Sequence, residues 1–263
     1  MTKMQVMSHG GGTQSSAIIA LILQNKLPKP DVVIMADTGR EKQATWDYMQ
    51  QVTGPALSSI GIEVHIARAS ELATVDLYSS KGSVLMPMWT NQSGKVGRLP
   101  TYCSNEWKRR VVQRYLRRNL QVKECDLWLG ISSDEVERVR TSQEQWMEHV
   151  FPLVGIVNFD SHPKLFMSRS DCYAAVREMG WPDPPKSSCW MCPHMGNAQW
   201  KQQKEQAPEE FERAVQLEKE IQQLDPNAFL HLSGKPLDQV DFYAQGSLFE
   251  DEQVTCTSTA CWL

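Results

Sequence analysis

The chain has 263 residues, 41% of them hydrophobic and 22% charged, which is enough apolar content for a folded core and excludes wholesale disorder. Its net charge of −4 excludes a uniformly basic surface that coats nucleic acid, so any such contact must come from a local patch. No apolar run reaches bilayer-spanning length, no secretory signal opens the chain, and seven cysteines argue against a disulfide framework, so the expectation is a cytoplasmic protein with no membrane contact.

Residues 4–7 form a short apolar run. Ser8, His9, Gly10, Gly11, Gly12, Thr13, Gln14, Ser15 and Ser16 follow, and residues 17–23 are strongly apolar. That order reads as a strand, a glycine-rich turn and a helix start. Adjacent glycines let the backbone turn tightly and bring bare N–H groups against an anion. Ser15 and Ser16 stand where the helix dipole and unpaired N–H groups favour phosphate. No Lys lies between Gly10 and Ser16, which excludes a Walker loop. No Gly occupies the third position after Gly12, which excludes the G-x-G-x-x-G turn.

Residues 31–36 are a β-branched run ending in Asp37, Thr38 and Gly39, and they read as a buried parallel strand with a polar carboxyl end. Residues 41–60 read as a helix and 62–67 as a third strand. This alternation predicts an α/β fold, a doubly wound, mostly parallel, Rossmann-like sheet. Residues 81–101 read as a loop or lid, and 106–119 as a strongly basic helix. A fourth strand is expected at 126–131, ending in Gly130 before Asp134 and Glu135. A short strand at 151–154 and a helix at 168–179, capped by Ser168 or Ser170, follow. An amphipathic helix is expected at 209–224, with loop and tail beyond 225. The nucleotide-binding domain is thereby expected at 1–160, with a helical, cysteine-bearing extension at 161–263.

In open α/β sheets, ligands bind beyond the carboxyl ends of the strands. Three strands here end in polar sets, at 8–16, 37–41 and 130–140, and converge on one expected nucleotide cleft. A second signal is Cys189-Trp190-Met191-Cys192-Pro193-His194. A C-x-x-C turn brings two thiolates to one metal or cluster. Cys103 is the best third ligand. Cys172, Cys256, Cys261, His194 or no protein group at all is left for the fourth. A zinc site and a thioredoxin-like dithiol are the alternatives; the dithiol is the weaker, because the motif does not follow an early βαβ strand.

Lys108, Arg109, Arg110, Arg114, Arg117 and Arg118 crowd one helix. Such a cluster repels itself unless an anion neutralises it. Phosphates of a nucleotide, or of a tRNA or DNA backbone, would do so, with Arg138 and Arg140 adding to the same site. The plain alternative is a solvated face partly paired with carboxylates. Cys256 and Cys261 sit on a terminal tail that can swing a thiol into a cleft as nucleophile or ligand. Cys125, Cys172 and His65 read as packing residues, and His9 as a residue placed against the nucleotide.

The glycine turn resembles the pyrophosphate-binding PP-loop of adenine nucleotide α-hydrolases, S-G-G-x-D-S, with Gln14 where many ATP pyrophosphatases carry Asp. A neutral amide is a poorer magnesium ligand than a carboxylate. More broadly, the chain resembles phage- and bacteria-borne members of the phosphoadenosine-phosphosulfate (PAPS) reductase family within that superfamily. The resemblance runs over SHGGGTQSSA, ADTGRE, YCSNEWKRR, LGISSDEVERVR, PPKSSCWMCPHM and HLSGKPL. The C-terminal E-C-G-x-H motif of the assimilatory reductases is missing, so Cys256 or Cys261 would have to substitute for it. The resemblance implies ATP, adenylyl sulfate or PAPS bound by Ser8 and the loop, with backbone N–H groups of Gly11, Gly12 and Ser15 holding the pyrophosphate or sulfate. Magnesium can accompany the nucleotide. Asp37, Thr38, Gly39, Gly130, Asp134 and Arg138 would line the cleft, and Lys108 and Arg109 would stabilise developing phosphate charge. It also implies an iron–sulfur cluster, 4Fe–4S in kind, on Cys103, Cys189 and Cys192, and it is compatible with a homodimer. The expected activity is nucleotide-dependent sulfur transfer, with a nucleic acid as one acceptor. The alternatives are an adenylyl-sulfate or PAPS reductase that releases sulfite, and a non-catalytic nucleotide- or nucleic-acid-binding module.

Overall fold

The computed structural model describes residues 3–92, 94–100 and 102–243, which divide into two compact units: residues 3–73 with 104–187, and residues 74–103 with 188–243. In chain order, the first unit opens with β1 (Met4–Ser8), α1 (Thr13–Leu23), β2 (Val32–Asp37), α2 (Gln43–Tyr48), α3 (Gly54–Ser59), β3 (Val64–Arg68) and α4 (Ala69–Leu72). The chain then forms a hairpin of the second unit, β4 (Trp89–Gln92) and β5 (Lys95–Arg98). It returns to the first unit for α5 (Arg110–Arg118), β6 (Cys125–Trp128), β7 (Met147–Val150) and α6 (Arg169–Glu178). It finishes in the second with α7 (Asn197–Gln206), α8 (Pro208–Gln222) and β8 (Ala228–Phe229). The expected domain boundary at 160 falls inside the first unit.

The first unit is the expected parallel α/β sheet, in the order β3-β2-β1-β6-β7. Val6 lies opposite both Val32 and Leu127, so β1 is central and paired on both edges. The chain steps outward from β1 to β3 and then crosses to the other side of β1 at β6. The topological switch point therefore lies between β1 and β6, where an open sheet leaves its ligand crevice. Strands buried on both faces need continuous apolar runs, and Val6, Met7, Val33, Ile34 and Leu127 are at most 2% exposed. Helix α1 is buried almost throughout, from Ser15 to Ile22, and packs against α6. Each fully buried Ile or Leu there contributes about 1.5–3 kcal/mol of transfer free energy.

Several expectations shift. Residues 41–60 form two helices, joined by a π turn at Met49–Thr53. Pro55, in the first turn of α3, cannot donate to the preceding ladder, and a wide turn accommodates it. The strand expected at 151–154 is instead a 3-10 turn, Pro152–Val154, because Pro152 cannot feed a sheet ladder; the strand ends at Val150. Residues 81–101 are not simply loop, since β4 and β5 pair around Gly94 at φ +77°. Beyond 225, β8 pairs with β4. The expected caps on α6 resolve to Ser168, whose side chain accepts from the backbone N–H of Asp171 in a reciprocal capping box.

The second unit is a small three-stranded sheet, β5-β4-β8, with α7 and α8. Trp200, Phe211 and Phe242 pack edge to face. Glu218, 1% exposed, accepts the backbone N–H groups of Leu230 (2.7 Å) and Leu237 (2.6 Å). No helix among the described residues is long and apolar enough to cross a membrane.

Candidate functional site

The three glycines follow β1 after His9, and their surroundings differ. Gly11 takes φ +70°, and a Cβ on it would sit 2.4 Å from Thr45 Cγ2. Both backbone and space therefore demand glycine. Gly12 is crowded rather than strained: a Cβ would lie 3.1 Å from Ser187 Cβ. Gly10 has neither constraint, for no heavy atom stands within 4 Å of its Cβ position and its φ is not positive. The Ser187 hydroxyl donates to the Gly10 carbonyl and ties down the turn.

Helix α1 begins immediately after Gly12 with no side-chain cap and no acidic residue in its first turn. The N–H groups of its first turn therefore have no acidic side chain from that turn to offset the helix dipole. Ser15 and Ser16 spend their hydroxyl hydrogens on the Gly12 carbonyl, at 3.0 and 2.9 Å. They shape the turn.

His9 is 1% exposed. Its Nδ1 accepts from the Gly11 N–H at 3.4 Å, which assigns the proton to Nε2, and Nε2 donates to Thr53 Oγ1 at 3.0 Å. Burial pushes its pKa down to about 4, so the ring is neutral at physiological pH. The expected role of the Gly11 N–H in holding an anion is corrected here, because that N–H is turned to the chain's own histidine.

A small recess opens beside the loop, lined by Ser8, His9, Gly10, Met35, Ala36, Glu41 and Lys108. Lys108 Nζ stands 3.5 Å from Glu41 Oε1. The other Glu41 oxygen accepts from Thr38, from its backbone N–H at 3.0 Å and its hydroxyl at 2.7 Å. Asp37 accepts from the Gly39 N–H at 2.7 Å, with Gly39 at φ +72°. The polar turn after β2 is therefore an internally bonded platform, and through Glu41 it sets the position of Lys108. The recess receives Lys108 but not Arg109, whose Nη2 donates to Gln143 at 3.1 Å.

On the other side of the switch point, Gly130 makes a close approach necessary. A Cβ there would lie 3.1 Å from Gln14 Cβ and 3.2 Å from the Ser15 N. Gln14 Nε2 donates to Glu135 Oε2 at 3.1 Å. Arg138 pairs with Glu135 at 2.8 Å. Asp134 accepts the backbone N–H of Arg169 at the start of α6 and so caps that helix.

The basic helix is largely paired within the chain. Arg110 bridges to Glu106 at 2.9 Å, Arg114 donates to the Leu72 carbonyl at 2.6 Å, and Arg117 donates to the Val122 carbonyl and lies over Trp146. The cluster, for which phosphates of a nucleotide or nucleic acid or a partly paired face were the alternatives, is thus partly neutralised by its own surroundings. Arg118 is exposed.

Cys103, Cys189 and Cys192 all belong to the second unit and are half-buried. The Cys189–Cys192 turn closes with a Cys192 N–H bond to the Cys189 carbonyl at 3.1 Å. Among the described residues, however, no three or more His, Cys, Asp or Glu side chains are grouped so as to hold a metal ion. Cys256 and Cys261 lie outside the described residues. Cys125 and Cys172 are fully buried packing residues, as expected. Sequence reasoning missed Glu41, Thr45, Glu135 and Ser187. Of these, Glu41 closed the polar set at 37–41, and the acidic pair 134–135 and the Ser-Ser before Cys189 were visible in the sequence; Thr45 left no trace.

No protein-family model matches the chain, and no curated protein matches it. Two solved structures are similar to it. One is a phosphoadenylyl-sulfate reductase from Candida auris in complex with phosphate, at 15% identity and TM-score 0.40, covering 70% of this chain and 76% of that one. The other is the U34-tRNA thiolase NcsA from Methanococcus maripaludis with its [4Fe-4S] cluster, at 10% identity and TM-score 0.45, covering 91% of this chain and 73% of that one.

Proposed function

We propose that the first unit is an adenine-nucleotide-binding PP-loop domain and that the protein is an enzyme of nucleotide-dependent sulfur transfer. The observation that carries the nucleotide reading is Gly10. Packing accounts for Gly11 and Gly12, but the chain gives no internal reason for glycine at 10. A residue without Cβ facing an open recess beside an uncapped helix N-terminus suits the close approach of an anionic ligand. In this reading the N–H groups of Gly12 and the first turn of α1 face a phosphate or sulfate. Lys108, set in place by Glu41, offsets the charge that develops there. Neutral His9 keeps the turn in shape. The sulfur chemistry rests on the motif resemblance given above, with the half-buried thiols of the second unit as its candidate carriers.

Isothermal calorimetry with inorganic pyrophosphate and with ATP tests the reading. The wild type should bind both. Gly10→Ala should weaken binding by about ten-fold, equivalent to about 1.4 kcal/mol, while its thermal midpoint stays unchanged. Gly11→Ala should instead destabilise the fold by about 2–4 kcal/mol, through left-handed strain and the clash with Thr45. If Gly10→Ala binds like wild type, the reading fails. Turnover divides the activities: pyrophosphate released from ATP in the presence of tRNA or DNA supports sulfur transfer, and sulfite released from adenylyl sulfate with a dithiol supports the reductase. A binding-only module is favoured by one observation, the neutral amide of Gln14 at the loop, and multiple turnover would exclude it.

A further inference from the structure

Position 14 is where the loop departs from the Asp-bearing pattern, and the residue beside it explains the amide. Glu135 is 6% exposed. One of its oxygens accepts from Gln14 Nε2 at 3.1 Å, and the other meets Arg138 at 2.8 Å and Arg169 at 2.7 Å. Three segments converge on that carboxylate: the first turn of α1, the turn after β6 and the start of α6. Gly130 lets the second press against the first, and Asp134 ties the second to the third. A buried carboxylate needs donors around it, and a second carboxylate at 14 would face it with like charge. An unneutralised Glu135 would also repel any anion seated at the neighbouring helix N-terminus.

We propose that Glu135 is the positioning residue of the glycine loop: it fixes the first turn of α1 through Gln14, while Arg138 and Arg169 cancel its charge so that an anion can sit beside it. This rests on the reading of the loop as an anion site. Positions 14 and 135 are therefore one electrostatic unit, in which amide and carboxylate can trade places but cannot both be acidic.

The test is a double-mutant cycle of Gln14→Glu and Glu135→Gln, read by thermal midpoint and by the dissociation constant for inorganic pyrophosphate. Gln14→Glu should lower the midpoint and weaken pyrophosphate at least about ten-fold. Glu135→Gln should weaken it by a similar factor. The double variant should return to within about three-fold of wild type, because the amide at 135 then donates to the carboxylate at 14. Should Gln14→Glu not fold, Arg169→Gln, at a partly exposed side chain, serves in its place. It uncovers the Glu135 charge, so pyrophosphate should bind several-fold more weakly at low salt, and the defect should shrink at high salt. Additive losses across the cycle, or a salt-independent Arg169→Gln, overturn the proposal. A midpoint that recovers in the double variant while affinity does not reduces Glu135 to a structural tie and overturns it as well. A wild type that binds no pyrophosphate overturns the proposed function itself, and that outcome is distinct from additivity in a chain that binds.

Discussion

The glycine turn and the cysteine turn are equally conspicuous in the sequence, and the fold treats them differently. In the glycine turn two residues meet a local demand, a positive φ and Thr45 at Gly11 and Ser187 against Gly12, while Gly10 faces open space. In the cysteine turn the other residues supply the anchoring. Trp190 is buried beneath Arg213 at 4.6 Å, Gln203 donates to the Trp190 carbonyl at 2.7 Å, and Trp89 Nε1 donates to the Pro193 carbonyl at 2.9 Å. A backbone anion site can be written into a few consecutive residues, because its donors are the chain itself. A metal site needs side chains from separate segments to converge, and two-residue spacing settles only one pair of them. The same contrast runs through the two units: one is organised by a continuous parallel sheet, and the other by individual polar ties between distant segments.

Removing one of those ties should show the difference most strongly. Glu218→Ala leaves two buried N–H groups, of Leu230 and Leu237, without their acceptor. At about 1–3 kcal/mol for each orphaned group, the loss should reach about 2–6 kcal/mol. Urea melts followed by tryptophan fluorescence read the loss. Limited proteolysis should then cut the second unit, with the sheet of the first unit still protected. Equal protection in both units would erase the contrast.

Protonation gives a second lever. His9 in the first unit and His231 in the second are each buried, and each is pushed down to about 4 from 6.5. His231 is tied to Asn197 at 2.7 Å and Ser233 at 2.9 Å. Between those values the unfolded chain binds protons that the folded chain does not, so stability rises with pH over this window and falls on acidification. The expected loss from pH 6.5 to about 4 is about 3 kcal/mol for each histidine. Burial raises Glu218, so its contribution is present at low pH, is lost as pH rises, and opposes the histidines. The slope assigned to His9 is therefore the difference between wild type and His9→Gln in denaturant melts at stepped pH. A variant that keeps the wild-type slope would remove His9 from this account.

The sheet, its strand sequence and the recess beside the glycine turn were legible because they rest on patterns of consecutive residues: β-branched runs, a glycine turn, polar residues at strand ends. What was hidden depends on residues far apart in the chain. Ser187 fastens Gly10 across 177 positions, and Glu135 meets Gln14 across 121. The basic helix shows the same limit. Its charges are plain in the sequence, but the Leu72 and Val122 carbonyls that receive Arg114 and Arg117 carry no sequence signature. The hairpin at 89–98 escaped notice because its strands are short and polar and its partner β8 lies far downstream.

The smallest expected effect separates the thiols of the two units. Cys125 and Cys172 of the first unit are fully buried, and desolvation pushes both up to about 12. The thiolate is the reactive species, so at pH 8 about one molecule in ten thousand carries it at either position. Cys103, Cys189 and Cys192 of the second unit are only half-buried. Alkylation of the native protein with iodoacetamide at pH 8, followed by peptide mass spectrometry, should modify these three and spare Cys125 and Cys172 until denaturant is added. Prior loading with iron or zinc under anaerobic conditions sharpens the comparison. Coordination occupies the thiolates it uses, so metal-dependent protection at all three positions would mean that Cys103, Cys189 and Cys192 share a metal site. Modification that is indifferent to metal would leave the cysteine turn a structural feature, held in place by Trp190, Pro193 and Gln203.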